Sequence, residues 1–258
     1  YVRAGRGVID RLMDSGNSFE QDGFVKVPGF CAGEELALLE TELEEFIQFE
    51  LDALPPELVF YEDKSRKDSL KQIQQLHQYS ALFHQWMTNR PQVLAEALLG
   101  EPVRAMNLQY FNKAPGMSRP TPPHQDGYYF MLEPCRAITL WLALDAVDEG
   151  NGCVRYVRGS HRGGLRTHRR TNTLGFSQGI ADYGAADAAN EVACAAGPGD
   201  VLAHHALTIH RADGNQSVHR QRRSLGLIFY GRSAQEDAAA HAAYQEQLTQ
   251  EMKAAGRI

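Results

Sequence analysis

The sequence predicts a mainly β protein with flanking helices, a jelly-roll core that carries a helical N-terminal third. Three observations predict it. Before Gly100, apolar residues recur at helical spacing. From Val103 to Tyr230 the chain breaks into short apolar or alternating runs separated by Gly and Pro turns. From Ala234 to Ala255 it turns rich in Ala, Glu and Gln.

Each element follows in order. Ser18 to Phe30 reads as a helix end, a turn at Gly23 and a strand. Leu36, Leu39, Leu43 and Phe46 stand at helical spacing between acids, giving an amphipathic helix over Glu34 to Phe49 that Pro55-Pro56 ends. Further helices are expected from about Ser69 to Trp86 and from Pro91 to Leu99, the last opened by Pro91 and stopped by Gly100. Val103 to Phe111 reads as a strand, and Tyr128 to Leu132 as another. Ala137 to Leu144 reads as a strand buried on both faces. Cys153 to Val157, Asp200 to His204 and Ser224 to Tyr230 add three more. Residues 165–195 are the least regular stretch, with either a lid or a plain surface excursion in prospect. The expectation is one domain over 1–258: a β core at about 101–232, with helical support at 18–100 and 233–258.

Composition narrows the class. The 258 residues suffice for a sizeable core, and 43% hydrophobic with 22% charged residues is ordinary for a globular protein. A net charge of −6 argues against a nucleic-acid partner. No apolar run approaches the roughly 18 residues of a membrane span. Tyr1 to Gly7 has no apolar region, so no secretory signal is expected, and the absent initiator Met suggests numbering that begins inside the natural chain. Cys31, Cys135, Cys153 and Cys194 are far apart, which disfavours a disulfide framework or a zinc-thiolate site and suits free thiols in a reducing cytoplasm.

The chemistry concentrates at His124-Gln125-Asp126, which follows Pro120, Pro122 and Pro123. On an extended chain residues i and i+2 share a face, so an imidazole and a carboxylate meet at one point. With a second imidazole they make the facial triad of non-haem Fe(II) oxygenases, which leaves three positions open. His204, His205, His210 and His219 are the downstream candidates. His210 closes the strand-like run Leu207-Thr208-Ile209 beside an Asp213-Gly214-Asn215 turn, a rigid scaffold with an open face. Any single one of these histidines is more simply an ordinary packed or surface residue.

Several segments, in order, resemble the phytanoyl-CoA dioxygenase family. They are Asp22 to Val25, Phe111 to Gly116, His124 to Phe130, Thr139 to Asp145, Glu149 to Cys153, Arg158 to His161, Gly199 to Leu202, and His210 with Asn215 and Arg222-Arg223-Ser224-Leu225. The likeness covers about residues 18 to 231. It implies a double-stranded β-helix, cupin-like core and a dioxygenase using Fe(II), 2-oxoglutarate and O2, with His124, Asp126 and His210 as metal ligands. It implies hydroxylation of an unactivated C–H of a small metabolite, releasing succinate and CO2. It implies a strand arginine on the distal carboxylate of 2-oxoglutarate. Arg222 falls in register for that role once one residue is inserted after Asn215, which keeps Arg223 as the alternative. Because side chains alternate, only one of the two can face the pocket. Gln109 and Trp141 match positions that line the cosubstrate pocket, and Lys71 matches another. Arg158 stands where the family usually has Pro. The presence of Asp126 favours hydroxylation over halogenation.

Arg155, Arg158, Arg162, Arg166, Arg169 and Arg170 crowd one region, which suits either an anionic small-molecule substrate or a solvated basic loop. The competing classes are a metal-dependent hydrolase or zinc protein on the same triad, and a non-catalytic binding module. A hydrolase has no use for a keto-acid clamp, and an idle module should have lost a ligand. The sequence does not set the oligomeric state.

Overall fold

Ala137–Ala143 is buried along its whole length, and the fold is built around it. The structure is a computed structural model that describes residues 16, 18–173, 176–254 and 256. Tyr1 to Gly7, from which the lack of a secretory signal is expected, lies outside the described residues.

A helical turn at 18–22 leads through Gly23 into β1 (Phe24–Val27). Then follow α1 (Glu34–Phe49), β2 (Val59–Tyr61), β3 (Leu70–Ile73), α2 (Leu76–Tyr79), α3 (Ala81–Met87) and α4 (Arg90–Leu99). The central part holds β4 (Val103–Asn112), β5 (Thr121–His124), α5 (Gly127–Phe130), β6 (Leu132–Glu133), β7 (Ala137–Ala143) and β8 (Val154–Val157). The hairpin β9 (His168–Thr173) and β10 (Phe176–Ile180) precedes α6 (Ala185–Ala189) and β11 (Glu191–Cys194). The chain closes with β12 (Val201–His205), β13 (His210–Ala212), β14 (Arg223–Gly231), β15 (Gln235–Glu236) and α7 (Ala238–Ala254).

Among the described residues the large sheet runs β1-β12-β7-β14-β4-β3-β2, and the smaller one runs β11-β8-β13-β5; both are antiparallel throughout. On one face of the large sheet, Leu140, Leu142, Leu225 and Leu227 pack with Leu39, Leu43, Phe83 and Leu94 of the helices. This is the principal core. A second cluster, with Phe24, Trp141, Val154, Tyr156 and Leu202, joins residues of the two sheets. Burial of both faces explains why β7 reads as a continuous apolar run.

The N-terminal third is not wholly helical: β1, β2 and β3 all join the large sheet. Leu70 to Ile73 was expected in a helix, yet its four residues are all buried. A short apolar run cannot be distinguished from a helix segment by periodicity, and pairing to β4 decides it. Tyr128 to Leu132 was expected as a strand because aromatic residues favour strands. Instead Asp126 starts a helical turn in which Tyr129 N–H bonds the Asp126 carbonyl at 2.9 Å, and Met131 ends it in the left-handed region at φ 50°. His210 opens β13 rather than closing a strand. The irregular 165–195 stretch contains the β9–β10 hairpin, α6 and β11.

Gly199, at φ +84°, turns the chain into β12, and a Cβ there would lie 1.7 Å from the Cys31 carbonyl oxygen. Gly199→Ala should therefore destabilise the protein by roughly 2–4 kcal/mol, combining a left-handed penalty with a backbone clash. A shift in the urea midpoint checks it.

Candidate metal centre and adjoining cavity

Strand register brings the metal-site residues together. His210 of β13 is the direct cross-strand partner of His124, the last residue of β5. Their rings lie 4.1 Å apart between centroids. Asp126 follows two residues later, but in a turn and not on an extended strand: its backbone is helical, at φ −57° and ψ −34°. Its carboxylate makes no capping bond to α5, so it is available elsewhere. Asp126 Oδ1 is 3.6 Å from Nε2 of both His124 and His210. One ligand atom from each of the three residues can be chosen so that all lie within 4.8 Å of one another.

The imidazoles are oriented by the backbone. His124 Nδ1 lies 2.8 Å from the Pro122 carbonyl and His210 Nδ1 lies 3.0 Å from the Thr208 carbonyl. Each Nδ1 therefore carries the proton, which leaves each Nε2 lone pair directed at the point where Asp126 Oδ1 also converges, where a metal ion would sit. Burial, reinforced by His124 and His204, holds His210 neutral, well below the usual histidine range. Burial works against ionisation of Asp126, but its imidazole surroundings, with a hydrogen bond donated by His204, outweigh it and hold the carboxyl well below its usual range. Two neutral imidazoles and one carboxylate are the protonation states that bind a divalent transition metal.

Asp126 Oδ2 turns the other way. It accepts a hydrogen bond from Thr139 Oγ1 at 2.7 Å and another from His204 Nε2 at 3.1 Å. Thr139 and His204 are cross-strand partners on β7 and β12. The sequence offers only a weak signal for them: Thr139 interrupts one apolar strand and His204 follows the apolar run of another.

A cavity of about 960 Å³ contains the three metal-site residues together with Gln109, Trp141, Arg222 and Lys71. Gln109 and Trp141 flank Gly226 from the two neighbouring strands. Arg222 is 5% exposed, its guanidinium carbon is 5.3 Å from the Trp141 ring centroid, and its Nε finds no hydrogen-bond partner among the described residues. Burial pulls its pKa down to about 10. A buried guanidinium without a carboxylate partner is unfavourable unless a ligand supplies the anion. Arg223 faces outward, where Asp145 grips its side chain at 2.9–3.2 Å and Glu40 adds a contact. Lys71 is paired with Glu62 at 3.1 Å. Both groups thus fit their ligands: the donor set suits iron, and Arg222 suits the free carboxylate of a keto acid.

Tyr129 and Phe130 line the cavity, whereas Tyr128 stacks on His168. The β9–β10 hairpin and α7 form an outer wall, joined by Ser177 Oγ to the Tyr244 hydroxyl at 2.7 Å.

Burial also pushes His205 down to about 4. In the unfolded chain histidine titrates near about 6.5, so below that pH the unfolded state binds more protons. The stability from His205 is present in full above about 6.5 and is lost as the pH falls towards 4. The metal-free protein should lose about 2 kcal/mol between pH 7.5 and 4, read as a fall in urea midpoint.

Residues 19–224 match the family model for phytanoyl-CoA dioxygenase. Peroxisomal phytanoyl-CoA dioxygenase of Mus musculus is 26% identical over 217 residues, 77% of this chain and 62% of that protein. The chain thus spans less than two thirds of that relative. The 1-deoxypentalenic acid 11-beta-hydroxylase of Streptomyces arenae is 28% identical over 230 residues, 83% of this chain and 76% of the relative. The epimerase SnoN, solved with Fe3+, alpha-ketoglutarate and nogalamycin RO, superposes with a TM-score of 0.71 at 24% identity, covering 88% of this chain and 86% of its own. That last likeness carries the fold.

Proposed function

The chain belongs to the phytanoyl-CoA dioxygenase family, and we propose that it is an Fe(II)- and 2-oxoglutarate-dependent dioxygenase that hydroxylates an unactivated C–H of a small molecule. The observation that carries this reading is Arg222, a buried guanidinium with no carboxylate partner among the described residues, in the same cavity as the His124–Asp126–His210 group. A hydrolase on the same triad would have no use for it.

When bound, iron and 2-oxoglutarate supply, with dioxygen, the oxidising power for the reaction, and the keto acid leaves as succinate and CO2. His124, His210 and Asp126 would hold the metal, the two histidines through Nε2 and Asp126 through its carboxylate. Arg222 would pair with the distal carboxylate, a role that a planar guanidinium suits, and the Trp141 ring lies against that guanidinium. Gln109 lines the same pocket, its Oε1 already bonded to Gln72 at 2.6 Å. Lys71 adds positive charge, partly offset by Glu62. Tyr129, Phe130 and Tyr244 line the same cavity and shape the space for substrate.

An anionic substrate finds less support than the arginine-rich segment suggests. Arg155 pairs with Glu149 and Asp213, Arg158 with Asp22, Arg166 with Asp182 and Asp187, and Arg170 with Glu251. Those four arginines are therefore engaged in internal ion pairs. A cytoplasmic setting goes with the reading, and all four cysteines are free thiols.

The test is anaerobic. Metal-free protein mixed with Fe(II) and 2-oxoglutarate should develop a weak visible charge-transfer band that needs both components. Absence of the band, with Fe(II) bound, would sink the reading.

A further inference from the structure

Nε2 of His204 lies 3.1 Å from Asp126 Oδ2, and Nδ1 of His204 lies 3.1 Å from the Tyr156 hydroxyl. His204 is 3% exposed and Tyr156 is fully buried. The two residues come from different sheets. His204 is on β12 of the large sheet beside Thr139, and Tyr156 is on β8 of the small sheet, the cross-strand partner of His210. Proton inventory fixes the direction of both bonds. An ionised carboxylate only accepts, so His204 Nε2 must donate to it. In a neutral imidazole the other nitrogen then accepts, so the Tyr156 hydroxyl donates to Nδ1. The sequence leaves His204 as a candidate ligand, but its nitrogen meets the oxygen of Asp126 that faces away from His124 and His210.

We propose that His204, oriented by Tyr156, is a positioning residue for Asp126. With Thr139 it occupies Oδ2, so only Oδ1 remains to serve the metal. A carboxylate free to turn could offer both oxygens and take up a position that the keto acid or dioxygen needs. Binding through one oxygen leaves three positions open, and His204 supplies half of the restraint that enforces it. The inference rests on the iron reading above.

The test uses the metal-free full chain and three variants: His204→Phe, which removes the donor, His204→Gln, which keeps an N–H at similar reach, and Tyr156→Phe, which removes the orienting hydroxyl. Fe(II) affinity is titrated anaerobically, the visible band with 2-oxoglutarate is recorded, and the melting curve of each metal-free protein is taken as a folding control. Loss of a hydrogen-bonding partner to a metal ligand typically costs about 10- to 100-fold in affinity. His204→Phe should fall in that range, with a shifted or weakened band and an intact metal-free fold. His204→Gln should stay within about threefold of the parent, because an N–H donor is restored. Tyr156→Phe should lose about three- to tenfold, and it carries the test alone if His204→Phe fails to fold. Unchanged affinity and band in the variants that fold would overturn the proposal. So would His204→Gln losing iron as completely as His210→Ala, since His204 would then be a ligand itself. If the parent protein binds no Fe(II), the functional reading fails first; if the parent binds and the variants match it, only the positioning role fails.

Discussion

Asp126→Ala should leave a folded protein that no longer converts 2-oxoglutarate to succinate, with turnover down by at least about a thousandfold. The estimate follows from the site. The substitution removes the only carboxylate among the three residues that converge there, and with it the charge that makes two neutral imidazoles a firm site for a divalent ion. Several kcal/mol of metal-derived stabilisation correspond to three or more powers of ten in rate. Stability should respond far less. The buried carboxylate disappears, and so does its desolvation cost. Against that, Thr139 Oγ1 and His204 Nε2 lose their acceptor, a penalty of about 1–3 kcal/mol for each buried donor left unsatisfied. Asp126→Asn separates these contributions, since it retains an acceptor for both donors yet lacks the charge. Succinate formation and iron content measured together give the answer. An Asp126→Ala protein that still holds iron and produces succinate at the parental rate would place the metal elsewhere.

How far the residues themselves disclose this site depends on which information is local. Ala137 to Leu144 is legible because burial on both faces leaves an uninterrupted apolar run. The His124-Gln125-Asp126 motif is legible as chemistry, though the geometry behind it is not the one extended spacing suggests: Asp126 reaches the site from a helical turn. Leu70 to Ile73 fails as a prediction because four residues carry no usable period, and their strand exists only through pairing with β4. The partnership of Thr139 with His204 is invisible for a different reason. The two are 65 positions apart, and only the β7–β12 register sets them side by side. The direct opposition of His124 and His210 across β5 and β13 is likewise a property of topology. Sequence therefore names the candidate ligands by their chemistry but not the residues beside them, because those are selected by register.

Arg222→Leu should raise the 2-oxoglutarate concentration for half-saturation by about 100-fold or more, while the metal-free protein keeps or gains stability. The two signs differ for one physical reason. In the free protein Arg222 is a desolvated cation whose Nε has no hydrogen-bond partner among the described residues, a state that burial makes costly and that draws its pKa down to about 10. An apolar side chain removes that cost, and replacing buried charge by hydrophobic groups is often neutral or stabilising. With the keto acid present the same cation becomes half of a buried ion pair, and deleting one member strands the other, a loss of about 3–5 kcal/mol. Arg223→Leu provides the contrast. Its guanidinium is held by Asp145 and Glu40 outside the cavity, so it should cost about 1–2 kcal/mol of stability and leave cosubstrate affinity within about threefold. Quenching of Trp141 fluorescence, from the ring that faces Arg222, reports binding directly, and urea midpoints report stability. The reverse pattern, affinity lost with Arg223 and retained without Arg222, would mean that the keto acid enters from the other face of β14 and that the cavity beside the triad serves something else.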